Sequence, residues 1–110
     1  RWVHLDIGLF GGLAEAMDES IKYRITTTKD GSPTGSVVLA GPTCDSVDVL
    51  YQRADYRLPL NLHVGDVVTL HATGAYTATY ASVGFNGIPP LAMHCLPESK
   101  LATHSDRVAV

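Results

Sequence analysis

The stretch Tyr23-Arg24-Ile25-Thr26-Thr27-Thr28, followed by Lys29-Asp30-Gly31-Ser32-Pro33 and then by Gly35-Ser36-Val37-Val38-Leu39-Ala40, decides the fold class. Tyr23, Ile25 and Thr27 alternate with Arg24, Thr26 and Thr28. A side-chain period of two marks a half-buried strand, and β-branched residues suit its pleated surface. Asp30-Gly31 sits at the centre of a turn cluster. Gly35 to Ala40 reads as a second strand, ended by Gly41-Pro42.

Towards the N-terminus, Trp2 to Ile7 alternates in the same way, with Trp2, His4 and Asp6 set against Val3, Leu5 and Ile7. Gly11-Gly12 breaks it. Leu13, Met17 and Ile21 then recur every fourth residue among good helix formers, which predicts a short helical segment. Towards the C-terminus, Val47 to Ala54 reads as a strand, and Leu58-Pro59-Leu60 is extended because proline restricts itself and its predecessor. His63 to Asp66 is a tight turn before a strand over Val67 to Ala72. Gly74 interrupts, Tyr76 to Ala81 resumes β texture, Gly84 to Pro90 is a loop and Met93 to Leu96 a last short strand. Short strands recurring about every 8–12 residues, punctuated by Gly and Pro, predict an all-β domain. The expected form is a mainly antiparallel sandwich or barrel, Greek-key-like, with one short helical segment near the N-terminus. The domain covers residues 1–97, and residues 98–110 form a loosely held polar tail.

The 110 residues suffice for one modest domain, and 45% hydrophobic content is ordinary for a folded protein. No apolar run approaches the roughly 18 residues of a membrane span. A formal charge of −3, with eight scattered Lys and Arg, argues against a nucleic-acid partner. The chain opens on Arg1-Trp2-Val3 with no visible leader, and the abrupt start inside an apolar stretch suggests a cut from a longer polypeptide. Cys44 and Cys95 are too few and too far apart for a disulfide framework, so free thiols and a cytoplasmic setting are expected.

By residue chemistry alone, Cys44-Asp45 reads two ways. A thiol beside a carboxylate on a loop held by Gly41 and Pro42 presents an acid and an anion together; equally, a small buried Cys and a turn-capping Asp make the same pattern. Tyr76 is either a phenol aimed at a ligand or a sheet tyrosine. Phe85, in Phe85-Asn86-Gly87, either walls a pocket or closes the core edge. His4, His63, His71, His94 and His104 show no metal-ligand spacing, and no phosphate-binding glycine loop or nucleophile elbow occurs.

The order of these motifs is more specific than any one of them. Gly41-Pro42-Thr43-Cys44-Asp45-Ser46-Val47-Asp48, then His63-Val64-Gly65-Asp66, then Gly74-Ala75-Tyr76-Thr77, then Phe85-Asn86-Gly87, closely resembles the C-terminal region of pyridoxal-phosphate-dependent ornithine decarboxylases of the alanine-racemase-like barrel group. Upstream, Leu5-Asp6-Ile7-Gly8-Leu9-Phe10-Gly11-Gly12-Leu13 is similar to bacterial and plant-like members. The likeness covers about residues 2–91.

The resemblance implies a two-domain enzyme in which a (β/α)₈ barrel of about 250 residues precedes this segment and carries most of the pyridoxal 5′-phosphate contacts. Cys44 matches the cysteine that protonates the substrate Cα once CO₂ has left, a proton whose placement needs a positioned acid. Asp45 matches the carboxylate that pairs with the substrate's distal ammonium. Both reach the neighbouring subunit's pocket in this family, so a homodimer is implied. Tyr76 matches a phosphate-binding tyrosine and Phe85 an aromatic wall. Asp6 lies two residues before Gly8, where members place an acid one or two residues before the glycine. On a strand that shift reverses the face, so Asp6 enters as a substrate-contact candidate alone. Relatives acting on diaminopimelate show Cys-Glu-Ser and Tyr-Asn, whereas Cys44-Asp45-Ser46 and Phe85-Asn86 here favour ornithine or lysine, the route to putrescine or cadaverine in polyamine synthesis. One methylene separates the two, worth only about 1–3 kcal/mol. Lys22, Lys29 and Lys100 sit in no cofactor motif, so these residues alone are expected to be inactive. The alternative is a catalytically inactive, decarboxylase-like regulatory or binding protein.

Overall fold

The computed structural model describes residues 1–97 and the backbone of a strand at Arg107–Ala109. The strands are β1 (Trp2–His4), β2 (Ile25–Thr27), β3 (Thr34–Ser36), β4 (Val38–Ala40), β5 (Val49–Leu50), β6 (Arg57–Pro59), β7 (Val67–Leu70) and β8 (Arg107–Ala109). They form two three-stranded sheets, ordered β1-β4-β5 and β2-β7-β8, and a two-stranded sheet β3-β6. All pairs are antiparallel except β1 with β4, which runs parallel with Val3 opposite Leu39. The all-β expectation holds.

The period-two reading of Trp2 to Ile7 survives in burial more than in ladder. Val3, Leu5 and Ile7 are buried and Trp2, His4 and Asp6 are exposed, although regular pairing stops at His4. Leu5 adds one further backbone bond, its N–H donating to the Ala40 carbonyl at 2.8 Å. Leu39, Val68, Leu50 and Leu13 lie at the centre of the core.

Several expectations need correction. The strand expected over Gly35–Ala40 is two strands. It divides at buried Val37, whose N–H donates to the Tyr56 carbonyl at 2.8 Å, and the halves enter different sheets. The strand expected over Val47–Ala54 is regular only at Val49–Leu50, because Tyr51 takes a left-handed backbone (φ 57°) and turns the chain inward. The Tyr51 hydroxyl accepts the Tyr23 N–H at 2.8 Å and donates to the Ile21 carbonyl at 3.0 Å, while its ring stacks on Tyr56. Burial pushes this phenol up to about 12; the Tyr23 N–H pulls it down, and the neighbouring phenols and Glu19 add to the rise.

The helical segment is a 3₁₀ stretch, Ala14–Glu19, broken at Met17 (ψ 138°) and Asp18 (φ 55°). Of the residues spaced by four, Leu13 is buried while Met17 and Ile21 are exposed. The break turns Glu19 towards the loop after β5, where its carboxylate accepts the N–H groups of Arg53 and Ala54 at 3.0 and 2.7 Å and pairs with the Arg53 guanidinium at 3.1 Å. Desolvation raises its pKa, but the Ala54 N–H and the Arg53 contacts outweigh that and leave the carboxyl below its ordinary value.

The strands expected over Tyr76–Ala81 and Met93–Leu96 are absent. Local bonds take their place: the Thr77 hydroxyl donates to the Thr73 carbonyl, and the Tyr80 N–H to the Thr77 carbonyl at 3.0 Å, closing a 3₁₀ turn at Ala78–Tyr80. Residues 107–109 of the expected loose tail instead pair with β7, with Val108 opposite Val68. The rest of that tail, residues 98–106 and 110, lies outside the described residues.

Candidate functional site

The loop that follows β4 is closed by its own backbone. Gly41 N–H donates to the Asp48 carbonyl at 3.0 Å, and Asp48 N–H to the Asp45 carbonyl at 3.0 Å. Inside it the Asp48 carboxylate is buried. One oxygen accepts the Leu9 N–H at 2.8 Å, and the other takes the Thr43 hydroxyl at 2.6 Å and, more distantly, the Thr43 N–H at 3.4 Å. Gly8 and Gly41 are required by that close approach, since a Cβ at either would come within 2.1 and 2.3 Å of the carboxylate oxygens. A carboxylate satisfied by several donors can stay buried without a cation.

Thr43 is therefore fixed, and Cys44 follows it in a left-handed conformation (φ 61°) with its side chain on the surface. Backbone of this kind is uncommon outside glycine and persists where its surroundings over-determine it. Asp45 is half-buried; its carboxylate accepts the Val47 N–H at 2.9 Å, the local turn geometry open to any aspartate. The two readings of Cys44-Asp45 thus separate by residue: Asp45 does cap a turn, and Cys44 is not a buried small side chain.

A second loop meets the first. The 3₁₀ turn Phe85–Gly87 has Asn86 left-handed at φ 52°, and the Asn86 amide nitrogen donates to the Thr43 carbonyl at 2.7 Å. Phe85 stacks on Phe10 with centroids 4.0 Å apart and planes 6° from parallel, and the Ser82 N–H donates to the Phe10 carbonyl at 2.7 Å. Between the two loops lies a cleft with a cavity volume of about 40 Å³. Asp6, Phe10, Pro42, Thr43, Phe85 and Leu91 are among the residues that line it. That volume takes a few waters.

The structure therefore brings Asp6 and Phe85 together beside the base of the Cys44 loop. Cys44, Asp45 and Tyr76 do not line the cleft. Tyr76 is exposed, left-handed (φ 55°), and tilted against Tyr80 at 5.1 Å between centroids. Asp48, Thr43 and Asn86 carry the geometry yet drew no separate reading from sequence. Their signal lay inside the motifs already quoted, but hydrogen bonds across 43 residues cannot be read from spacing. Among the described residues no group of three or more His, Cys, Asp or Glu is placed to hold a metal ion, and no helix is long and apolar enough to cross a membrane. Cys44 and Cys95 are both exposed, free thiols.

The family model described as the pyridoxal-dependent decarboxylase C-terminal sheet domain matches residues 1–74. The chain belongs to this family. It is 35% identical over 86 residues to the lysine/ornithine decarboxylase of Selenomonas ruminantium, covering 78% of this chain and 21% of that protein. It is 33% identical over 100 residues to the diaminopimelate decarboxylase of Escherichia coli (strain K12), covering 83% of this chain and 24% of that one. Among solved structures, the lysine/ornithine decarboxylase of Vibrio vulnificus complexed with cadaverine superimposes with a TM-score of 0.65 at 41% identity, over 77% of this chain and 22% of that one. The sheet domain thus spans about a fifth to a quarter of the length of these relatives.

Proposed function

We propose that this sheet domain belongs to a pyridoxal-phosphate-dependent decarboxylase of a basic amino acid, ornithine or lysine, and supplies the Cys44-Asp45 loop to an active site shared across a homodimer. The observation that carries the reading is the exposed, left-handed Cys44, held out by a buried Asp48-Thr43 anchor. A surface thiol maintained in a disfavoured backbone conformation serves something that approaches from outside the domain.

The residues here fit one edge of the cofactor and not its anchorage. No lysine lines the cleft. Tyr76, with an exposed ring, suits a phosphate contact; the anchoring lysine belongs to the preceding barrel. When bound, pyridoxal phosphate supplies an electron sink for the carbanion left when CO₂ departs. Within this domain, Cys44 holds the proton that is delivered to the substrate Cα, and Asp45 orients the distal ammonium through a charge-assisted bond. Phe85, braced by Phe10, walls the methylene chain, and Asp6 stands at the same cleft. We place the enzyme in the cytoplasm, where its two free thiols remain reduced.

A competing reading takes meso-diaminopimelate as substrate, favoured by the 33% identity to the Escherichia coli enzyme. Asp45 argues for the bare amine, because a distal carboxylate beside the ammonium would face it with like charge. The test is Cys44→Ala in the full-length protein, assayed on ornithine, lysine and diaminopimelate. Turnover on the preferred substrate should fall by about 10²–10⁴-fold, the range of a lost general acid, with some product protonated at the wrong carbon. Unchanged turnover and product would overturn the assignment of Cys44.

A further inference from the structure

Thr43 carries two separate restraints, and only one belongs to its own loop. Asp48 takes its hydroxyl and N–H from below, while Asn86 reaches across from the Phe85–Gly87 turn and donates to its carbonyl at 2.7 Å. That carbonyl is part of the rigid peptide plane whose other end is the Cys44 nitrogen. Holding the oxygen fixes the plane's orientation and, with it, the conformation from which the Cys44 side chain departs. The carbonyl only accepts, so the amide nitrogen of Asn86 must be the atom facing it. Asn86 is itself left-handed at φ 52°, a conformation Asn tolerates better than most residues. Its turn is docked independently by the Phe10–Phe85 stack. The aromatic wall and the Cys44 loop are thus tied through one side chain.

We infer that Asn86 is a positioning residue for Cys44: its amide sets the Thr43–Cys44 peptide plane and couples the proton-donor loop to the Phe85 wall. The inference rests on the proposed role of Cys44. It goes beyond that role in naming a residue that touches no reacting atom and acts through a peptide carbonyl.

The test uses the full-length enzyme with Asn86→Asp, which keeps tolerance for the left-handed backbone but cannot donate when ionised. Asn86→Gly is measured in parallel; it removes the side chain without backbone strain and keeps a folded variant available. Both are expected to lower kcat by about tenfold, the equivalent of one hydrogen bond's net worth, with KM nearly unchanged. Both should raise the fraction of product protonated at the wrong carbon. Alkylation of the Cys44 peptide by iodoacetamide, followed by mass spectrometry without substrate, should quicken by about threefold as the loop opens locally. A lower melting temperature with unchanged kcat, product ratio and alkylation would show a structural brace only and overturn the inference. Failure of the Cys44 reading is distinguishable, because then Cys44→Ala itself leaves turnover intact.

Discussion

Residues 1–73 and residues 74–97 are built on different terms. Among the described residues, every buried side chain lies in the first region, from Val3 to Thr73, together with strands β1 to β7. In the second, all residues are exposed or half-buried, and two 3₁₀ turns are the only regular structure among them. The first region is held by shared burial. The second is held by a few specific attachments to the first: Ser82 to the Phe10 carbonyl, Asn86 to the Thr43 carbonyl, and Phe85 on the Phe10 ring. The candidate site lies along the seam between them. A rigid scaffold with chemistry on its attached loops is a recurring division of labour, since loops tolerate exposed polar groups that a core does not.

The sharpest way to break this contrast is to excavate each region. Leu39→Ala, at a fully buried position pairing with both Val3 and Leu50, should cost about 2–5 kcal/mol. Leu91→Ala, at an exposed position lining the cleft, should cost within about 0.5 kcal/mol. Urea unfolding measures both. Similar costs would mean that the second region shares the core after all.

Tyrosines give a smaller, chemically cleaner comparison. Tyr51→Phe strips a buried N–H of its acceptor and a carbonyl of its donor, an expected loss of about 1–3 kcal/mol. Tyr76→Phe, on an exposed ring, should stay within about 0.5 kcal/mol. The pH dependence has a definite sign. Tyr51 holds its proton in the fold up to about 12, above the unfolded phenol near 10.0. The folded state therefore binds more protons in that window. The contribution is full below about pH 10 and is lost as pH rises through 10 to 12. Melting temperatures recorded across that range should fall more steeply for the parent than for Tyr51→Phe; parallel curves would remove the phenol from the account.

The same division explains what was legible. Within the first region the alternation of Val3, Leu5 and Ile7 reported burial faithfully because period-two burial is a local property, whereas the alternation expected over Tyr23 to Thr28 holds only for buried Tyr23 and exposed Arg24, since Ile25, Thr26 and Thr27 of β2 are all half-buried. The division of the strand at Val37 and the left-handed turn at Tyr51 were not legible: Tyr56 supplies the partner for each, through its carbonyl and through its ring. In the second region β-branched and aromatic residues from Tyr76 to Tyr80 carried strand texture, yet propensity makes no strand where local hydrogen bonds win. Ordered resemblance singles out Cys44 and Phe85 as candidates, and the structure places Phe85 at the cleft and Cys44 on the surface. Asp48, the anchor beneath Cys44, was not legible, since its buried role depends on Gly8 and Leu9, some 39 residues away.

The smallest expected effect tests whether the site at the seam is held against its own preference. Tyr51 and Cys44 share a left-handed backbone, at φ 57° and 61°. For an L-residue this conformation costs on the order of 1–2 kcal/mol, from which glycine is exempt. At Tyr51 the ring and hydroxyl repay that cost through burial, so removal of the side chain is a net loss. Cys44 buries nothing, and its strain is sustained by the Asp48, Thr43 and Asn86 bonds around it. Cys44→Gly should therefore leave stability unchanged or raise it by up to about 1 kcal/mol, after the extra entropy of an unfolded glycine is deducted. In the full-length protein, the proposed decarboxylation should collapse as predicted for Cys44→Ala. Urea unfolding alongside a decarboxylation assay reads both effects. A destabilisation approaching that of Leu39→Ala would place Cys44 with the core and take away the reason for reading its exposed thiol as a donor to a partner.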